Sequence, residues 1–143
     1  GIEISNSGHQ FNYKKFSKKQ ISSIMVLSKF LLKKYKINSK NILGHSDISP
    51  NRKKDPGEKF PWKYLSSKGV GFYPILRIKK KYNKSSIQNK SFFKNLHKVG
   101  YRYLNTKLKK RIIKNFQRRY RQNKVNGIID LETMQISEFL SKN

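Results

Sequence analysis

The stretch FSKKQISSIMVLSKFLLKKYKI, residues 16–37, constrains the fold more than any other part of the chain. Ser17 stands three residues before Gln20, the spacing at which the two side chains cap each other's backbone N–H at a helix start. Ile21, Ile24, Met25, Leu31, Leu32 and Tyr35 then recur at helical spacing and share one face. An apolar face of this kind needs a second layer to cover it. Before the helix, GIEIS alternates like a strand and SNSGH reads as turn or loop; after it, NIL reads as a short strand running into Gly44-His45. Strand, helix, strand, loop is the order of an α/β sheet with a crossover helix.

A chain of 143 residues has room for one ordinary domain or two small ones. Its 35 % apolar content is low for a single compact core, whereas 13 % aromatic residues supply enough large side chains to argue against wholesale disorder. From Asp55 to GVGFYP, Pro, Gly and aromatics dominate. Residues 75–90, within ILRIKKKYNKSSIQNKS, are basic and polar without a period and read as a linker, with a frayed edge strand at ILRI as the alternative. Beyond them SFFKNLHKVGY reads as a short helix ended by Gly100. LNTKLKKRIIKNFQRRYR carries Leu104, Leu108, Ile112, Phe116 and Tyr120 at every fourth position, widened by Ile113. VNG is a turn, and Asp130 can cap a last helix holding Leu131, Met134, Phe139 and Leu140. The expected fold class is an α/β unit over residues 1–74, a basic linker over 75–90, and a small all-α three-helix domain over 91–143.

Thirty-four Lys and Arg against seven Asp and Glu leave a net charge of +27. Such a field attracts polyanions, whether nucleic acid, anionic lipid or an anionic wall polymer. Lys outnumbers Arg 27 to 7 and Asn and Ile are plentiful, which an AT-rich coding sequence also produces without any partner. Both halves are basic: fifteen basic against four acidic residues in 1–74, nineteen against three in 75–143. Neither half is therefore singled out as a nucleic-acid arm. The chain has no cysteine, which excludes disulfides, thiolate metal sites and cysteine nucleophiles. No apolar run approaches the 18 or more residues of a membrane span, and no signal sequence is visible, although a segment could precede Gly1.

LGHSDISPNRKKDPGEKFPW, residues 43–62, holds the candidate chemistry. A catalytic zinc takes three protein ligands from His, Asp, Glu or Cys and keeps a fourth place for water. His45 stands at the expected end of a strand, and a loop turned by Pro56-Gly57 can return Asp55 to it. Lys53 could aim an ammonium at an oxyanion beside the metal, and Glu3, on the N-terminal strand, could take a proton from attacking water. The plain readings stand beside these: a solvated histidine, a turn aspartate, one lysine of 27, an edge-strand glutamate.

GIEISN, the helix glutamine, and NILGHSDISPNRKKDPGEKFPWKYLSSKGVGFYP together resemble the latter part of the zinc-dependent N-acetylmuramoyl-L-alanine amidases of the amidase type 2 family. Gly44-His45-Ser46-Asp47-Ile48, Pro50, Arg52-Lys53, Asp55-Pro56-Gly57 and Phe60-Pro61-Trp62 carry the likeness in order and spacing. RIIKNFQRRYRQNKVNGIIDLET resembles the three-helix peptidoglycan-binding domain that often follows. The resemblance implies a mixed sheet with helices, of which this chain holds the C-terminal part. It implies His45 and Asp55 as zinc ligands, Glu3 as the acid/base residue and Lys53 as the oxyanion partner. Asp47 would hydrogen-bond the loop, and Phe60 and Trp62 would pack it against the domain, with lining of the substrate cleft as the secondary reading. The implied reaction is hydrolysis of the amide joining the lactyl group of N-acetylmuramic acid to L-alanine, on peptidoglycan or muropeptides, in the bacterial cell envelope or periplasm.

The family's third zinc ligand is a histidine upstream of the GIE strand; His9 and His97 do not stand in that position. The expectation is thus a fragment, an inactive truncated copy, or a chain completed by an N-terminal partner. Two other functions remain open: a non-catalytic peptidoglycan-binding protein, and sequence-indifferent nucleic-acid binding through Lys107, Lys109, Lys110, Arg111, Lys114, Arg118, Arg119 and Arg121. No groove-reading motif accompanies that basic stripe, which argues against specific nucleic-acid recognition.

Overall fold

The computed structural model describes residues 1–79, 89–104 and 107–143. Among these, the chain forms α1 (Lys18–Lys34), a 3-10 turn (Ser39–Asn41), α2 (His45–Ile48), α3 (Trp62–Ser67), α4 (Asn89–Val99), α5 (Lys109–Tyr120) and α6 (Leu131–Leu140).

The expected α/β sheet is not there: no strand forms among the described residues. Alternation makes a segment competent to be a strand, but a ladder needs a second extended chain at about 4.8 Å to take its N–H and C=O groups. GIEIS forms no regular element, and Ile4 packs against an apolar cluster instead. At NIL only Asn41 is taken into the 3-10 turn, which the Asn38 side chain starts by accepting the Lys40 N–H at 2.9 Å; Ile42 beyond it is extended but pairs with no neighbouring chain among the described residues. His45 opens a one-turn helix rather than closing a strand.

Helix α1 starts as its sequence predicts. Ser17 Oγ accepts the Gln20 N–H at 3.2 Å, and Gln20 Oε1 accepts the Ser17 N–H at 2.9 Å. Ile21 is buried and Ile24 and Met25 pack beside it, whereas Tyr35, at the C-cap, turns out to solvent. The cluster they join is made by Phe60, Trp62, Leu65 and Val70.

The last three helices form as expected and enclose a second cluster around Phe92, Leu96, Ile112, Phe116 and Met134. Phe92 and Phe116 meet edge to face with centroids 5.2 Å apart. The apolar stripe of α5 begins at Ile112, because the helix starts at Lys109 and Leu108 lies exposed before it. Asp130 caps α6, its Oδ1 accepting the Thr133 N–H at 3.1 Å. Gly100 ends α4 at φ +111°, in the region open to glycine without cost. Of the basic stretch 75–90, Lys79 exchanges two backbone hydrogen bonds with the Gln135 side-chain amide, both at 2.9 Å. Residues 80–88 lie outside the described residues.

The seam between the two clusters is polar and buried. Arg119, 2 % exposed, lays its guanidinium 3.2 Å from the centroid of the Trp62 ring and gives Nη2–H to the Phe72 carbonyl at 3.0 Å. Its Nε lies 3.6 Å from Asp47 Oδ2, and Tyr101 donates its hydroxyl to Asp47 Oδ1 at 2.9 Å.

Candidate active site

The turn that begins at His45 is fixed from behind. A Cβ on Gly44 would lie 2.7 Å from Pro56 Cδ and 3.3 Å from the Trp62 ring, so only glycine lets the chain enter the turn this close to the returning loop. Gly44 N–H donates to Asp47 Oδ2 at 2.7 Å, which fixes the first turn of α2. The aspartate thus holds the loop, as the resemblance implies.

The loop then comes back on itself. Ser49 O accepts both the Arg52 and the Lys53 N–H, and Asp55 O accepts the Ser46 N–H at 2.9 Å. Asp55–Pro56 is a cis peptide, followed by Gly57 at φ +83°. A Cβ at Gly57 would lie 2.7 Å from both the His9 ring and Tyr13 Oη. Closing the loop brings His45 Nδ1 to 3.0 Å from Asp55 Oδ2. A carboxylate only accepts, so Nδ1 carries the proton in this pair. Both side chains are about half exposed, at 49 % and 59 %.

His45 and Asp55 line a groove of about 790 Å³, and Glu3 lines it too, from the N-terminal segment. Three of the four residues singled out in the sequence are thereby brought to one surface. Lys53 is not: its side chain is half-buried and lies off the groove. Zinc fits this set in part. His45 and Asp55 offer two adjacent donors of the right kind, but among the described residues no three His, Asp or Glu side chains converge on a point.

His9, left as a loop residue by its spacing, lines the same groove. Its Nε2 lies 3.0 Å from Glu58 Oε2, and its ring stacks on Tyr13 at 4.3 Å. Glu58 also accepts Arg118 Nε–H at 3.1 Å. Burial raises the Glu58 carboxyl, but the hydrogen bond from His9, that of its own backbone, and the charges of His9 and Arg118 outweigh it, so the net shift is down. Burial pushes the Tyr13 phenol up to about 12, against the lowering effect of the Lys59 N–H that it accepts. Lys59 Nζ also donates to the Tyr13 carbonyl.

Sequence reasoning missed the residues that reach this loop from α5. Arg111 Nη1–H donates to Asn51 O at 3.0 Å, and Asn115 Nδ2 donates to Pro50 O at 2.8 Å and Lys53 O at 2.7 Å. Gln122, just past the helix end, donates to Phe60 O at 2.6 Å. A signal was present: Asn115 and Arg119 interrupt the apolar positions of a helix from within, which solvated residues need not do. The basic stripe read as one face is divided. Lys107, Lys109, Lys110 and Arg111 are exposed, whereas Arg119 and Arg121 are buried, the latter paired with Asp130 and Glu132 at 2.6 Å each.

Residues 1–58 match the family described as N-acetylmuramoyl-L-alanine amidase. The N-acetylmuramoyl-L-alanine amidase AmiD of Escherichia coli (strain K12) is 31 % identical over 153 residues, covering 98 % of this chain and 55 % of AmiD. The 1,6-anhydro-N-acetylmuramyl-L-alanine amidase AmpD of Haemophilus influenzae is 45 % identical over 69 residues, 47 % of this chain and 35 % of that protein. A solved structure of AmiD from E. coli, in complex with the substrate anhydro-N-acetylmuramic acid-L-Ala-D-gamma-Glu-L-Lys, has a TM-score of 0.82 at 29 % identity. It covers 96 % of this chain and 57 % of that one. The chain thus spans about half the length of AmiD, and about a third of AmpD. The chain is thus similar to the N-acetylmuramoyl-L-alanine amidases, by the family match on the segment that carries Glu3, His45 and Asp55 and by its likeness to AmiD along almost its whole length.

Proposed function

We propose that the chain takes part in hydrolysing the amide between the lactyl group of N-acetylmuramic acid and L-alanine, in peptidoglycan or muropeptides of a bacterial cell envelope. One observation carries this reading: the loop returns Asp55 to 3.0 Å from His45 on the groove that Glu3 also lines. The AmiD structure holds a substrate with that bond, which supports the choice of amide.

His45 and Asp55 would hold zinc as two of its ligands. A zinc ion supplies a Lewis acid for the amide carbonyl and makes water a nucleophile near neutral pH. Glu3 takes the proton of the attacking water and returns it to the leaving L-alanine nitrogen as the C–N bond breaks. Lys53, two residues before Asp55, has a four-carbon stem with which its ammonium can turn to the oxyanion. On this reading residues 1–74 carry the chemistry, and 91–143 bear on the wall polymer. A second groove of about 690 Å³, lined by Phe93, His97, Arg102, Tyr103 and Lys109, favours wall contact there. No helix among the described residues is long and apolar enough to cross a membrane.

The test is metal content after zinc loading and dialysis, with His45→Ala as control, followed by chromatography of an anhydromuramyl-peptide digest and sedimentation with purified peptidoglycan. His45-dependent zinc and a released peptide with an L-alanine N-terminus are expected. Neither zinc nor cleavage, but co-sedimentation at moderate salt, would replace the hydrolase with a wall-binding protein.

A further inference from the structure

Helix α5 has two faces. One turns Ile112, Phe116 and Tyr120 into the second apolar cluster. The other runs through Arg111, Asn115, Arg118, Arg119 and, just past the end, Gln122, spaced as one helical stripe. Every one of these side chains bonds to the segment that carries the candidate site or to its flanks. Arg111 takes Asn51 O, Asn115 takes Pro50 O and Lys53 O, Arg118 takes the Glu58 carboxylate, Arg119 takes Phe72 O, and Gln122 takes Phe60 O.

Asn115 stands at the centre and is fully buried. Its amide cannot be turned over. Oδ1 accepts Arg118 Nη1–H at 2.9 Å, from a group that only donates, while Nδ2 faces two carbonyls that only accept. Both of its N–H groups are thereby committed to the carbonyls of Pro50 and Lys53, which bracket Asn51-Arg52 and lead into Asp55. Without them two inward-facing carbonyls lose their donor, and the loop must move to find water.

We propose that Asn115 is a positioning residue for the Lys53–Asp55 segment, and that the polar face of α5 is the scaffold on which the candidate site is built. The helical half then acts on the chemistry by holding the loop, besides any hold on the wall. The proposal rests on the amidase reading for its meaning in catalysis, but not for its geometry.

The experiment compares full-length Asn115→Ala with Ile113→Ala, a variant of the same helix whose aliphatic side chain lines the apolar cluster and can give the loop no hydrogen bond. Amide hydrogen exchange is read at Lys53 and Ser46, whose N–H groups bond Ser49 O and Asp55 O. Zinc affinity is read by chelator competition. Asn115→Ala is expected to speed exchange at both amides by about 10-fold, as for local opening. Ile113→Ala is expected to speed exchange in the helices and to leave both loop amides near wild type. Zinc uptake, where the wild type shows it, should weaken roughly 10-fold in Asn115→Ala, the usual effect of removing a ligand's supporting partner. Arg111→Ala, which removes one exposed contact to Asn51 O and leaves no buried group unpaired on the helix, should shift Lys53 in the same direction by less. Loop exchange in Asn115→Ala and Arg111→Ala no faster than in Ile113→Ala overturns the proposal. No zinc in the wild type, with faster loop exchange in Asn115→Ala, leaves the positioning role standing and removes the metal reading alone.

Discussion

Glu58 draws partners from two distant parts of the chain, His9 49 residues before it and Arg118 60 residues after it. Its carboxyl is held below the ordinary 4.5 once burial is outweighed by those partners. A carboxyl depressed in the folded state stabilises the fold at every pH above its unfolded value, and the contribution is lost as pH falls through the folded value. Urea midpoints of the wild type should therefore fall as pH is lowered below about 4.5, and Glu58→Gln should flatten that part of the profile by removing the titrating group. An unchanged slope in the variant would assign the acid sensitivity to other carboxyls. The return of Asp55 to His45 was legible at this scale for a simple reason. Gly44, His45, Asp55 and Gly57 lie within fourteen residues, where Pro and Gly already specify a returning loop. His9 was not legible, because its partner Glu58 becomes a neighbour only after folding.

Among the elements, helices were readable where the signal is local, and strands were not. The Ser17–Gln20 box, Gly100 and Asp130 each act within a few residues of themselves, and each appears where its sequence placed it. A strand is a statement about another segment, and the alternation in GIEIS has none beside it among the described residues. Asp130 offers a test of how much a local signal contributes. Its carboxylate caps Thr133 N–H and Oγ1–H and also faces Arg121 Nη2 at 2.6 Å. Asp130→Ala should lower stability by about 1–2 kcal/mol, the cost of a lost N-cap, because Glu132 remains to pair the buried Arg121. A much larger loss in urea melts would mean that Glu132 does not suffice. The basic stripe shows where helical spacing runs out. It separates Lys110 from Ile112, but not a lysine facing water from an arginine stacked on a tryptophan.

For the whole molecule the deciding quantity is the strength of the seam. The composition suggested two units on a basic tether, and two apolar clusters are present. Each is small, and clusters of this size are marginal alone. Between them stand the Asn115, Arg119 and Gln122 bonds to backbone carbonyls, and the Tyr101–Asp47 and Arg118–Glu58 contacts. At about 0.5–1.5 kcal/mol net for each hydrogen bond, these add several kcal/mol that neither half keeps by itself. Arg119 tightens the coupling, since parting the halves strips its guanidinium from the Trp62 ring and exposes both. The halves should therefore unfold together. Trp62 is the chain's one tryptophan and sits in the first cluster at the seam, so its fluorescence reports that side, while far-UV ellipticity is weighted to α4, α5 and α6 as well as α1. Coincident urea midpoints from the two probes are expected, as for any two-state unit. A fluorescence change that precedes the loss of ellipticity would mean that the helical half stands on its own. The polar face of α5 would then be a docking surface that opens before the fold does.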